Sequence, residues 1–112
     1  MKNYALKWLL QRLTASILIP LTFWFIYSAI SLSKMEYDET IKFFQSYFNS
    51  FLFFVMMLAM LLHSKLGLQT IIDDYVTSKK IYNLSKWGIN LTSYLLMILL
   101  TIFIIKNAIF YA

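Results

Sequence analysis

Three stretches without a charged residue divide this chain: 13–32, 43–62 and 87–105. They are twenty, twenty and nineteen residues long. A hydrocarbon core about 30 Å thick takes roughly 20 residues of α-helix at about 1.5 Å per residue. That core offers no water, so every backbone N–H and C=O of a lone span must pair within its own segment, as a helix allows. The pattern predicts an all-α integral membrane protein with transmembrane helices over about 13–32, 43–64 and 87–106. The 112 residues are expected to form a single membrane-anchor domain.

Composition removes the soluble alternative. The chain is 61% hydrophobic and only 13% charged. A soluble domain of this length leaves much of its surface in water and cannot hide that apolar excess. The first run follows Lys2, Lys7 and Arg12 as a signal peptide would, but it exceeds the usual apolar core of about 7–15 residues. It is expected to be a retained span, with Pro20 tolerated inside it. Disulfides, thiolate metal sites and cysteine nucleophiles are excluded, because there is no cysteine.

The net charge is +5. The basic residues form no stripe interleaved with aromatics, so nucleic acid is not the expected partner. They flank the apolar runs, where membrane lipid headgroups attract them. Lys2, Lys7 and Arg12 precede the first run without any acid. Lys65, Lys79, Lys80 and Lys86 outnumber Asp73 and Asp74 in the second connection. The first loop balances Lys34 and Lys42 with Glu36, Asp38 and Glu39, and the tail has Lys106 alone. The positive-inside rule then puts the N-terminus on the cytoplasmic side, or the matrix side in a mitochondrion. Trp8, Tyr47, Phe48, Trp87, Phe110 and Tyr111 fit an interfacial aromatic belt.

Few residues can carry chemistry. His63 is the one histidine. Helical spacing puts His63, Gly67, Thr70 and Asp74 on one face. Gly67 leaves room for something flat to lie near the helix backbone. A neutral imidazole is a good axial ligand for haem iron, and a single histidine supplies one axial bond. The plainer reading is an interfacial histidine bonded to a neighbouring helix. Asp74 and Tyr75 form an acid–phenol pair at the membrane surface, suited to a ligand carbonyl or to a solvated helix end. Arg12 can pair with a carboxylate, a haem propionate included, or snorkel to the headgroups.

The segment His63-Ser64-Lys65-Leu66-Gly67-Leu68-Gln69-Thr70-Ile71-Ile72-Asp73-Asp74-Tyr75-Val76 resembles an H-x-x-x-G-x-x-x-(apolar)-x-x-D-Y-V pattern. That pattern belongs to the small hydrophobic membrane-anchor subunit of succinate dehydrogenase (respiratory complex II), its cytochrome b small subunit. Arg12-Leu13-Thr14-Ala15 is similar to the R-x-[ST]-A opening of the family's first helix. The three-span layout also matches, so the likeness covers nearly the whole chain.

The resemblance implies a subunit of an oxidoreductase, not an enzyme alone, within a multi-subunit helical bundle. His63 falls on the position of one axial ligand to haem b. Tyr75 falls on the position that hydrogen-bonds ubiquinone, with Asp74 organising that site. Arg12 falls near the haem propionates or the quinone site. Asp73 is an additional acid in the pattern. The implied partners are the larger cytochrome b anchor subunit, the iron–sulfur subunit and the flavoprotein subunit. The implied location is a bacterial inner membrane or the mitochondrial inner membrane. Two other readings stay open on the residues: an anchor of quinol:fumarate reductase, and a non-redox three-span scaffold or assembly protein. A transporter or channel is disfavoured by the scarcity of polar residues within the runs.

Overall fold

In the computed structural model, residues 4–110 are described; Lys2 and Tyr111 lie outside them. Helix α1 is Tyr4–Leu32, α2 is Tyr37–Gln45, α3 is Tyr47–Tyr75 and α4 is Lys79–Ile105. A π-helical turn, Lys106–Phe110, continues α4. No strand occurs among the described residues. The fold is all-α, and α1, α3 and α4 are long and apolar enough to cross a membrane.

The helices are longer than the uncharged runs that predict them. At about 1.5 Å per residue, the 29 residues of α3 span roughly 43 Å. The second connection shrinks to 76–78, and Trp87 lies two turns inside α4. Apolar length measures the hydrocarbon crossing; a helix continues into the headgroup layer wherever its charges find partners. Lys65, Asp73 and Lys86 all do so here.

The run from 43 to 62 is broken near its start. Ser46 is extended, with φ −66° and ψ 122°, and separates α2 from α3. The carbonyls freed at the end of α2 are captured by side chains of α3. Asn49 Nδ2 donates to the Phe43 carbonyl at 3.3 Å, and the Ser50 hydroxyl donates to the Phe44 carbonyl. The Ser46 side chain accepts from the Asn49 N–H. Polar side chains thus replace the helical bonds that the bend removes. Pro20 lacks an N–H for the Ser16 carbonyl, yet α1 runs through it unbroken.

Helix α3 is central, flanked by α1 and α4. At one end, Phe44 meets Phe53 and Phe103 edge-on, at 5.2 and 5.3 Å between ring centres. At the other end, Asp73 joins three helices, as described below. Between these ends the helices meet through small and polar residues. Ser28, Ser50, Gln69 and Ser93 are buried, while Phe23, Tyr27, Phe51 and many leucines are exposed. Gln69 Nε2 donates to Asn90 Oδ1 at 2.9 Å across the α3–α4 contact. Small contact residues let helix backbones approach closely in lipid, where apolar burial drives no association.

Candidate functional site

The N-terminal half of α1 runs antiparallel beside the C-terminal half of α3. Three contacts fix their register. The Lys7 ammonium reaches Asp73 Oδ2 at 3.4 Å. Gln11 lies over Gly67, and the Thr14 hydroxyl sits 3.0 Å from His63 Nδ1. Positions 7, 11 and 14 share a face of α1, so one stripe meets one stripe.

A cleft of about 570 Å³ opens between the two helices. His63, Thr70 and Asp74 line it from α3, and Trp8, Gln11 and Arg12 from α1. Of the four residues singled out in the sequence, His63, Arg12 and Asp74 therefore share one cavity. Tyr75 does not line it; it is 80% exposed on the last turn of α3. Among the described residues, no hydrogen bond or ion pair engages Asp74 or Tyr75. The Arg12 guanidinium lies 5.6 Å from the Trp8 ring centre. At about 1.5 Å per residue, His63 is roughly 18 Å along the axis from Tyr75. The histidine is thus set within the bundle, and the tyrosine at its rim.

Two features differ from the sequence expectations. The space over Gly67 is taken by Gln11, whose Nε2 is 3.6 Å from where a β-carbon would stand. Gly67 brings α1 close to α3; it does not leave a flat opening. Asp73, in contrast, is the hub of this end of the molecule. Its Oδ1 accepts from the Tyr82 hydroxyl at 2.7 Å and pairs with Lys86 at 2.8 Å, while Oδ2 faces Lys7. Both adjacent aspartates line the cleft, but only Asp73 also ties α1, α3 and α4 together. Thr14, Lys7, Tyr82 and Lys86 carried no distinguishing signal beyond charge or a place in the Arg12–Ala15 opening.

The donor set suits a haem. His63 offers a ring-nitrogen ligand, and Arg12 offers a planar cation for a propionate. The buried Oε1 of Gln11 has no hydrogen-bond partner among the described residues, so this wall has acceptor capacity unused by the chain itself.

A sequence profile of the family described as Succinate dehydrogenase/Fumarate reductase transmembrane subunit matches residues 3–105. The chain belongs to this family. Among relatives of this succinate dehydrogenase/fumarate reductase anchor, the succinate dehydrogenase hydrophobic membrane anchor subunit of Rickettsia bellii is 30% identical over 110 residues. The similarity covers 98% of this chain and 84% of that subunit. The subunit of the same description from Rickettsia typhi is 32% identical over 82 residues, 73% of this chain and 66% of its own length. No solved structure matches the chain. The anchor is a multi-pass membrane protein by its family and its three apolar helices.

Proposed function

We propose that this anchor serves a succinate:ubiquinone oxidoreductase, holding part of a haem b site and part of a quinone site. The observation that carries the reading is the shared cleft of His63, Arg12 and Asp74, with Tyr75 exposed beside it. The family and the names of the relatives support succinate dehydrogenase as the complex. The larger cytochrome b anchor subunit would supply a further ligand to that haem, since this chain has one histidine. The iron–sulfur and flavoprotein subunits would dock at the end bearing Asp73, Asp74 and Tyr75. That end, with the N-terminus, faces the cytoplasm or matrix in this reading.

Each residue has a chemical task. The His63 imidazole binds iron through one ring nitrogen. Bound there, the haem supplies a one-electron store near the quinone. Arg12 neutralises a propionate. The Tyr75 hydroxyl donates a hydrogen bond to a quinone carbonyl, so negative charge developing on that oxygen is stabilised. The Asp74 carboxyl is free of the internal knot, so it can orient a cation of a partner subunit at the same site. Electrons arrive from succinate through the soluble subunits; this chain supplies binding and orientation, and none of the flavin chemistry.

The test is a reduced-minus-oxidised optical spectrum of the complex purified from membranes, wild type beside His63→Ala. A b-type signal lost in the variant supports the reading. A wild-type complex without haem, or a variant with an unchanged spectrum, overturns it.

A further inference from the structure

The Thr14 hydroxyl oxygen lies 2.7 Å from the Leu10 carbonyl, 3.1 Å from the Gln11 carbonyl and 3.0 Å from His63 Nδ1. A threonine has one hydroxyl proton to give. Two oxygens 2.7 Å apart need that proton between them, because bare lone pairs at this distance repel. The proton therefore lies towards Leu10. Towards His63 the hydroxyl presents a lone pair, so Nδ1 must be the donor. A neutral imidazole protonated on Nδ1 is unprotonated on Nε2.

We propose that Thr14 is a positioning residue that holds His63 in its Nδ1-protonated form and leaves Nε2 as the iron-binding atom. This rests on the haem reading above. The arrangement is set before any haem arrives. Back-bonding to Leu10 fixes the hydroxyl rotor on α1. Thr14 is only 5% exposed, so water does not compete for the contact. Gln11, packed over Gly67 one turn away, keeps the two helices close enough for the bond. An acceptor on the far nitrogen also makes a metal-bound imidazole more basic, which favours the ferric haem.

The experiment compares Thr14→Val, which keeps the shape and removes the hydroxyl, with Thr14→Ser, which keeps the hydroxyl. Both are made in the full complex and read by haem redox titration and by haem loss on dilution. Thr14→Val should move the haem to higher potential and weaken its retention by about 10-fold or more. Thr14→Ser should match the wild type in both. Thr14→Ala replaces valine if the valine complex does not assemble. A wild-type potential and retention in the hydroxyl-free variant, or a serine variant shifted as far as it, overturns the proposal. His63→Ala is run alongside. Haem kept there with an unchanged spectrum overturns the haem reading itself; haem lost there beside an unmoved Thr14→Val overturns only the role of Thr14.

Discussion

Lys86 and Asp73 form an ion pair of 2.8 Å across the short joint between α3 and α4. Lys7, on α1, reaches the other oxygen of the same carboxylate. One acid therefore sets the mutual register of all three long helices at the end where the cleft opens.

Removing that acid should loosen the bundle. Asp73→Ala leaves two lysines and a tyrosine hydroxyl without their shared acceptor. Lys7 is buried, whereas Asp73 and Lys86 keep some contact with solvent, so the loss is expected to be about 1–3 kcal/mol. Thermal unfolding of the purified complex should show a lower midpoint for Asp73→Ala and an unchanged one for Asp74→Ala. Equal midpoints for the two variants would mean that the knot has no mechanical role.

The neighbouring pair should behave the opposite way. Tyr75→Phe and Asp74→Asn alter side chains that make no hydrogen bond or ion pair among the described residues. Each should lower succinate-driven quinone reduction by roughly 10-fold or more, the value of a hydrogen bond involving a polarised or charged group. Haem content and unfolding temperature should stay at wild-type values. Full activity in Tyr75→Phe would remove the phenol from the quinone site.

The break at Ser46 offers a third check. Ser50→Val and Asn49→Leu leave the Phe44 and Phe43 carbonyls without donors in an apolar setting. Each unpaired group costs about 1–3 kcal/mol. Cleavage by added protease at the α2–α3 joint should speed up in both variants. Unchanged cleavage would show that water already reaches those carbonyls.

Gly67 separates two uses of a small residue. A β-carbon would meet Gln11 Nε2 at an ordinary contact distance of 3.6 Å. Gly67→Ala should therefore retain haem, whereas Gly67→Leu should push Gln11 aside, part α1 from α3 and release haem. Haem loss in the alanine variant would restore the reading of an open cradle over the glycine.

The sequence is most legible where one helix explains itself. The uncharged runs locate three spans, and the spacing from His63 to Asp74 puts them on one face, where both now line the cleft. Periodicity says nothing about which helix arrives on that face. The Lys7–Asp73 contact joins residues 66 apart, and the Thr14–His63 contact joins residues 49 apart. Neither is written into a local pattern. Charge counts read Lys86 and Asp73 as flanking residues for the same reason. The bend at Ser46 escapes hydropathy because its partners, Asn49 and Ser50, look like ordinary polar interruptions of an apolar run. Gly67 is recognisable as a close approach, but only the fold shows that a glutamine of α1 makes it.

The buried side chains are largely polar or small, and the exposed ones largely apolar. Entry into the bilayer and recognition of neighbours therefore depend on different atoms of the same helices. A substitution at Ser28 or Ser93 would yield a chain that inserts as readily as before and then finds no tight seat. Such a chain is an orphan subunit, fully embedded, and it would meet the cell's membrane proteases before it could form an aggregate. Defects at these buried packing positions should thus register first as lost abundance.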